Sequence, residues 1–204
     1  MACSARSRHE GPGIFDGQGA AVLTLVLKKP VTVVGMMGAG KTAVGKALAA
    51  RLRVPFLDSD AEIEAAAAMS IAEVFERDGE AFFRAREGEV IARLLAAGPI
   101  VLSTGGGAFL AERNREEISR AGVSLWLRAD LELLWQRVRH KTTRPLLRTA
   151  DPKATLRELY EARKGIYALA DLAVDADPSY SIADMTDHVI RVLKTRPDVL
   201  ETRP

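Results

Sequence analysis

A glycine-rich stretch followed by lysine and threonine constrains this chain more than any other feature. Residues 35–42 read G-M-M-G-A-G-K-T, between the apolar run 31–34 and a segment with apolar residues at helical spacing. Glycines let the backbone curl so that successive N–H groups point at phosphate oxygens, and the following helix adds its positive N-terminal end. The pattern therefore predicts a strand, a phosphate loop and a helix, and it indicates nucleoside triphosphate binding.

Two side chains of this loop have predicted chemical tasks. Lys41 would bring a positive charge to the outer phosphates, and the hydroxyl of Thr42 would bind the Mg²⁺ that accompanies them. The alternative is a turn that merely joins a strand to a helix, and the flanking patterns argue against it.

Short apolar runs alternate with helical patterns along the rest of the chain. The runs are 31–34, 54–57, 100–102, 123–127 and 172–174. Runs of this length are typical of strands buried on both faces, so we expect a three-layer α/β sandwich with a five-stranded parallel sheet. Ser70 with Glu73 predicts a capped helix start, as do Asp151 before Pro152 and Ser181.

The 204 residues are enough for one domain. We expect a flexible N-terminal tail over residues 1–28 that ends in a short apolar segment packing on the domain. The domain itself is expected at 29–196, with a mobile lid at about 139–150 and a frayed C-terminal tail at 197–204. The apolar segment lacks the features of a secretory signal and is too short to cross a bilayer.

Composition argues against several classes of protein. The 29 basic and 27 acidic residues give a net charge of +2, which favours neither a nucleic acid nor a membrane surface as partner. The single cysteine, Cys3, provides no disulfide framework, which favours a reducing cytoplasm. The three histidines lack acidic or cysteine neighbours at metal-ligand spacing, so no zinc site is predicted.

Ligands of an open α/β sheet bind beyond the carboxyl ends of its strands, so the residues after each run matter most. Asp58 and Asp60 follow the second run and would project the same way from an extended chain. One could hold Mg²⁺ through its waters and the other accept a hydrogen bond from an attacking hydroxyl; alternatively, Ser59 or Asp60 caps a helix beginning at Ala61. Three glycines at 105–107 would let a ligand touch bare backbone, unless they only form a flexible connection.

Arginines form a second group of candidates. Arg84 and Arg163 fall on inward helix faces, where a guanidinium is costly unless it meets an anion such as a carboxylate or phosphate. The alternatives are an exposed pair of Arg84 with Glu80 and a structural ion pair of Arg163 with a core acid.

Residues 137–148 include five basic side chains and no acid, which is typical of a solvated loop but also suits a lid over a triphosphate. Arg144 is then the candidate that reaches the transferring phosphoryl.

Six stretches together point to one family. They are the phosphate loop, Asp58-Ser59-Asp60, 79–84 with Glu87, 103–108, 143–147, and Arg163 with Tyr167. With them in this order, the chain from about Val31 to Leu193 closely resembles shikimate kinase. The resemblance implies transfer of a phosphoryl group from ATP to the 3-hydroxyl of shikimate, on a nucleoside-monophosphate-kinase-like fold with strand order 2-3-1-4-5. Two alternatives are another small-molecule kinase of this fold, such as a gluconate kinase, and a nucleotide-binding regulatory module without turnover.

The resemblance also implies a role for each candidate residue. Lys41, Asp60 and Arg144 would be catalytic, Asp60 by orienting or deprotonating the hydroxyl and the two cations by stabilising the transferring phosphoryl. Mg²⁺ would be bound by Thr42 directly and by Asp58 through its waters. The nucleotide contacts would be Gly38, Ala39, Gly40, Lys41, Thr42, Ala43, Arg137 and Arg144. The shikimate contacts would be Asp60, Arg84, Gly105, Gly106, Gly107 and Arg163.

Two stretches depart from the family pattern. The family often has R-x-P-x-Y where residues 163–167 read R-K-G-I-Y, so a rigid proline turn is replaced by glycine and we expect a less rigid segment. Residues 176–180 lack the arginine that commonly meets the adenine. We therefore expect backbone contacts to the adenine there, with Arg137 against the base. We further expect a cytoplasmic monomer that binds ATP, shikimate and Mg²⁺.

Overall fold

A computed structural model describes residues 24–140, 145–147 and 149–203. The strands are β1 (Thr24–Leu27), β2 (Val31–Val34), β3 (Phe56–Asp58), β4 (Val101–Ser103), β5 (Val123–Arg128), β6 (Leu172–Asp175) and β7 (Leu200–Arg203). The α-helices are α1 (Lys41–Leu52), α2 (Ser59–Ala67), α3 (Ile71–Leu95), α4 (Glu112–Ala121), α5 (Leu131–Val138), α6 (Pro152–Tyr167) and α7 (Ile182–Leu193). Part of the predicted lid, residues 141–144 and 148, lies outside the described residues.

Five parallel strands form the central sheet in the order β3-β4-β2-β5-β6. Counted along the chain within this sheet, the order is 2-3-1-4-5, so the predicted fold is confirmed. The central strand β2 is buried along its whole length, which explains why its sequence is apolar rather than alternating. Asp58 at the end of β3 lies opposite Ser103 at the end of β4, and Ser103 lies opposite Val33. The loops that follow these three strands therefore start side by side.

The predicted helix starts are confirmed. The hydroxyl of Ser70 accepts a hydrogen bond from the Glu73 N–H at 3.3 Å, and the Glu73 carboxylate accepts one from the Ser70 N–H at 2.7 Å. Ser181 and Asp184 form the same reciprocal pair at the start of α7. Asp151 accepts a hydrogen bond from a first-turn N–H of α6 at 2.9 Å. These caps satisfy backbone donors that a helix start leaves unpaired.

A kink divides α3 and carries one of the candidate arginines into place. Gly79 has φ +83° and ψ 169° inside this helix, a conformation that is essentially restricted to glycine. The helix resumes at Glu80, one turn before Arg84. Val74 before the kink and Phe83 after it form a small second core with Ile63 of α2. The kink therefore orients Arg84 relative to the end of β3.

The expected fraying of residues 197–204 is wrong for most of that segment. Strand β7 pairs antiparallel with β1, which is the predicted apolar segment that packs on the domain. Leu200 is buried, and Lys28 forms an ion pair with Glu201 at 3.1 Å. The pairing escaped prediction because it joins the two ends of the chain, and neither end shows a partner locally. Residues 1–23 of the predicted tail lie outside the described residues. In the part of the chain that the structure describes, no helix is both long and apolar enough to cross a membrane.

Candidate active site

A cavity of about 480 Å³ opens where the loops after β2, β3 and β4 meet. Its lining residues come from segments 37–44, 58–60, 103–106 and 176–185, together with Arg137. This volume suits a nucleotide-sized or smaller ligand. The position at the carboxyl ends of the strands is where parallel α/β sheets bind their ligands.

The phosphate loop forms one side of this cavity. Gly38 and Gly40 have φ values of +86° and +97°, which side chains other than glycine rarely adopt. The Lys41 ammonium donates hydrogen bonds to the carbonyls of Gly35 at 2.9 Å and Met36 at 3.2 Å, so it lies along its own loop. Gly40 is the N-cap of α1, and within the described residues no side chain caps this helix. Its first N–H groups and its positive end are therefore directed to the cavity, as anion binding requires.

Thr42 and Asp58 lie together at the edge of the loop. The Thr42 hydroxyl donates a hydrogen bond to Asp58 Oδ2 at 3.2 Å, and Asp58 Oδ1 accepts one from the Asp60 N–H at 3.1 Å. Asp58 is thus the cap of α2, which begins at Ser59, and the prediction that Ser59 or Asp60 caps a helix from Ala61 is wrong. The hydroxyl and carboxylate oxygens are hard ligands of the kind that Mg²⁺ prefers. Among the described residues no group of three or more His, Cys, Asp or Glu offers another metal site.

Asp60 projects from the first turn of α2 against the glycine loop. A Cβ built on Gly105 would lie 2.5 Å from Asp60 Oδ1, so a side chain at this position would displace the carboxylate. Burial raises the pKa of Asp60, and the neighbouring charge of Asp58 raises it further. The positive charges of Lys41 and Arg84 act in the opposite direction. Asp60 therefore lies between the phosphate loop and the arginine of α3.

Arg84 is partly buried and held on two sides. Its guanidinium pairs with Glu87 at 2.9 Å and with Glu80 at 3.3 Å, and Glu87 is only 1% exposed. Burial raises the pKa of Glu87, while the charge and hydrogen bond of Arg84 oppose the rise. The guanidinium also lies over the rings of Phe83 and Phe75, 5.1 and 5.9 Å from their centroids. The predicted pair with Glu80 forms, but the buried Glu87 and the two rings make Arg84 an oriented group rather than a solvated one.

Arg163 lies on α6, which continues unbroken to Tyr167 despite Gly165. Its positive charge lowers the pKa of the Tyr167 hydroxyl, which lies one turn further along the helix. Among the described residues no carboxylate forms an ion pair with Arg163, so the alternative of a structural ion pair is wrong. Glycine in place of proline at Gly165 was expected to make this segment less rigid, but it does not break the helix.

The three glycines at 105–107 bring these side chains together. A Cβ on Gly107 would lie 2.7 Å from both terminal nitrogens of Arg84, just as one on Gly105 would collide with Asp60. The carbonyl of Gly106 accepts a hydrogen bond from the Tyr167 hydroxyl. The loop thus contacts Asp60 and Arg84 directly and Arg163 through Tyr167. Arg84 and Arg163 do not line the described cavity, which reaches only to Gly106.

The cavity wall contains the predicted Arg137 and two residues that sequence reasoning missed, Tyr180 and Ile182. Arg137 donates hydrogen bonds to the phosphate-loop carbonyls of Ala39 at 3.2 Å and Gly38 at 3.4 Å. Tyr180 and the exposed Ile182 also line the cavity, so side chains as well as backbone are available after β6. The available signal was an aromatic residue, Tyr180, in the loop after the last apolar run. Arg144 lies outside the described residues, and its predicted position stays a prediction.

The fold and the site define a class of protein. A parallel sheet of order 2-3-1-4-5, a phosphate loop at the first strand and a carboxylate at the mouth of the cradle are the features of a small-molecule kinase of the P-loop type. A model of the family described as Shikimate kinase matches residues 37–194. The chain belongs to the shikimate kinase family.

Individual relatives agree with this assignment. A shikimate kinase of Ruegeria pomeroyi is 66% identical to this chain, and the alignment covers 97% of this chain and 98% of the relative. One of Cereibacter sphaeroides is 64% identical, over 86% of this chain and 88% of the relative. The solved shikimate kinase of Acinetobacter baumannii in complex with shikimate has a TM-score of 0.77 at 36% identity, over 82% of this chain and 94% of that one. A gluconokinase of Sinorhizobium meliloti shares only the fold, with a TM-score of 0.56 at 20% identity over 83% and 94% of the two chains.

Proposed function

We propose that the chain transfers the γ-phosphoryl of ATP to the 3-hydroxyl of shikimate, giving shikimate 3-phosphate and ADP. The observation that carries the proposal is the placement of Asp60 between the phosphate loop and Arg84, against a glycine that leaves room for its carboxylate. The name of the relatives and the shikimate in the A. baumannii structure support the choice of acceptor.

The phosphate loop and α1 would hold the triphosphate. The N–H groups at the start of α1 would meet phosphate oxygens, and Lys41 would move its ammonium from the loop carbonyls to the outer phosphates. Arg137 would lie against the adenine, in the cavity that Tyr180 and Ile182 also line. Arg144 would stabilise the charge that spreads over the transferring phosphoryl. We propose a cytoplasmic monomer as the working form.

Thr42 and Asp58 are the proposed holders of Mg²⁺, Thr42 directly and Asp58 through water. Their oxygens already lie 3.2 Å apart, and Ser103 lies beside Asp58 in the register of β3 and β4. A bound Mg²⁺ would neutralise phosphate charge and orient the oxygens of the γ-phosphoryl.

Asp60 would orient the 3-hydroxyl and accept its proton. The O–H bond of the substrate breaks as its oxygen forms a bond to the γ-phosphorus, and the bond from that phosphorus to the oxygen of ADP breaks. Arg84 and Arg163 would hold the substrate carboxylate, because both lie beside the glycine loop that Asp60 contacts. Asp60 at the hydroxyl and the two arginines at the carboxylate would then hold the small ring at two points. The backbone at 105–107 would contact the other ring substituents.

The two alternatives fit the site less well. A gluconate kinase shares a carboxylate substrate, but two arginines at a three-glycine loop favour a compact ring, and the gluconokinase likeness is limited to the fold. A module without turnover would be expected to lack Lys41, Asp60 or Arg144, and all three are present.

Consumption of ATP by the purified protein is expected to depend on shikimate. A coupled assay of ADP release should show turnover with shikimate and Mg²⁺, and only background hydrolysis without the acid. Gluconate, quinate and other hydroxy acids are the controls. Turnover with gluconate but not shikimate would favour the gluconate kinase, and binding of ATP without turnover on any acid would favour the regulatory module.

Replacing Arg144 by alanine is expected to lower kcat by about 10²–10³-fold, since one donor to developing charge is lost. The KM for shikimate should change little, because Arg144 is assigned to the phosphoryl and not to the acid. Steady-state kinetics with each substrate varied in turn provides the measurement. Arg139→Ala, an exposed arginine in the same basic stretch, is the matched control. Equal losses in the two variants would assign the effect to the general charge of the stretch.

A further inference from the structure

We propose that Tyr167 is a positioning residue for the acid substrate. Its hydroxyl connects the guanidinium of Arg163 to the peptide of Gly106, so that the two groups assigned to shikimate are held as one unit. The proposal rests on the proposed function for the identity of the substrate. Neither the cavity nor the sequence pattern assigns Tyr167 a role of its own.

The first observation is the burial of a hydroxyl at this point. Tyr167 is 1% exposed, and its ring lies between those of Phe109 and Trp126, with centroids 6.4 and 6.2 Å away. A phenylalanine would fill the same apolar space. A buried hydroxyl is costly unless it is hydrogen-bonded, and here the carbonyl of Gly106 accepts its proton. The oxygen is therefore present for its bonds and not for packing.

The second observation is that the same oxygen faces a cation. Arg163 lies four residues before Tyr167 on α6, so the two side chains are neighbours on one helix face, and the Arg163 charge lowers the pKa of the Tyr167 hydroxyl. A phenol hydroxyl can accept one hydrogen bond and donate another, so it can join a guanidinium to a carbonyl. The other N–H groups of the guanidinium then stay available for the substrate. Burial raises the pKa of Tyr167 to about 12, despite the opposing charge of Arg163. The hydroxyl consequently remains a donor to Gly106 throughout the neutral pH range.

The third observation is the position of Gly106 within its loop. Gly105 and Gly107 are packed against Asp60 and Arg84, whereas a Cβ on Gly106 would meet nothing nearer than the Tyr167 oxygen at 3.7 Å. Its next neighbours would be the Gly35 carbonyl and the Met37 N–H of the phosphate loop, both at 3.9 Å. The middle glycine thus lies between the phosphate loop and Tyr167. The Tyr167 hydroxyl is the bond that fixes its peptide, so removing it should loosen the centre of the loop without opening its ends.

The kinetic test compares Tyr167→Phe with Tyr160→Phe, which removes from the same helix a hydroxyl that forms no hydrogen bond within the described part of the chain. We expect Tyr167→Phe to raise the KM for shikimate about tenfold, with the KM for ATP within about twofold and Tm close to wild type. Tyr160→Phe should change none of these. An unchanged KM for shikimate in Tyr167→Phe would overturn the proposal. So would a parallel rise in both KM values with a lowered Tm, which a purely structural role predicts.

Amide hydrogen exchange provides a readout that does not depend on the substrate. In the free protein, the peptide covering 103–108 should exchange faster in Tyr167→Phe than in wild type or Tyr160→Phe, because a hydrogen bond that closes the loop is lost. Unchanged exchange would show that the hydroxyl does not hold the loop and would overturn the proposal. Absence of shikimate-dependent turnover in the wild type is a different result. It would remove the proposed function, while the exchange experiment would still decide whether Tyr167 orders the glycine loop.

Discussion

Replacing Asp60 by asparagine is expected to lower kcat by about 10²–10⁴-fold while the affinity for ATP stays near that of wild type. Asparagine has the same shape and still fits against Gly105, but it cannot take the proton of the attacking hydroxyl. Nucleotide binding should survive because the phosphate loop and the start of α1 are untouched. The measurement is kcat with both substrates saturating, together with ATP binding by calorimetry.

The pH dependence sharpens this test. Asp60 must be ionised to accept a proton, and burial together with Asp58 raises its pKa. Wild-type kcat should therefore fall on the acid side from a higher pH than an ordinary aspartate would give, and Asp60→Asn should lose that dependence. Glu62→Gln, in the same turn of α2 and paired with Arg93 at 3.6 Å, is the matched control. A kcat for Asp60→Asn close to that of Glu62→Gln would contradict the assignment of Asp60 as the proton acceptor.

Replacing Arg84 by alanine is expected to raise the KM for shikimate about 10²-fold and to leave the KM for ATP nearly unchanged. The loss corresponds to a charge-assisted, bidentate contact with the substrate carboxylate. Arg84 does not line the cavity assigned to the nucleotide, which is why the effect should be confined to the acid. Steady-state kinetics and direct binding of shikimate by calorimetry provide the measurement. Equal weakening of both substrates would refute the role of Arg84.

Arg84 also neutralises a buried acid, so its removal needs two controls. Glu87 is 1% exposed and would be left without its cation, which is expected to lower Tm. The double variant Arg84→Ala with Glu87→Gln removes that unpaired charge and should recover part of the Tm without recovering shikimate affinity. Arg86→Ala is the surface control on the same helix, since Arg86 is 55% exposed and pairs with Glu89 at 2.6 Å. Recovery of shikimate affinity in the double variant would show that Arg84 acts only by stabilising the fold.

Sequence patterns predicted the sheet because each of its strands is a local, continuous apolar run ended by polar or glycine residues. They predicted the helix starts for the same reason, since a cap such as Ser70 with Glu73 involves neighbours within one turn. They failed for Asp58 as the cap of α2, because an aspartate at the end of a strand fits a metal ligand and a helix cap equally well. They failed for the pairing of β1 with β7, whose two strands lie at opposite ends of the chain.

The sequence by itself determined the phosphate loop, the class of fold and the types of side chain available for catalysis, because these depend on spacing along a short segment. Only the tertiary structure decided how those side chains are arranged. Gly105 and Gly107 lie against Asp60 and Arg84, which belong to other elements. Tyr167, one turn after Arg163 on α6, donates a hydrogen bond to the carbonyl of Gly106. Such contacts depend on distances between segments far apart in the chain. Close packing sets those distances, and local pattern does not encode them.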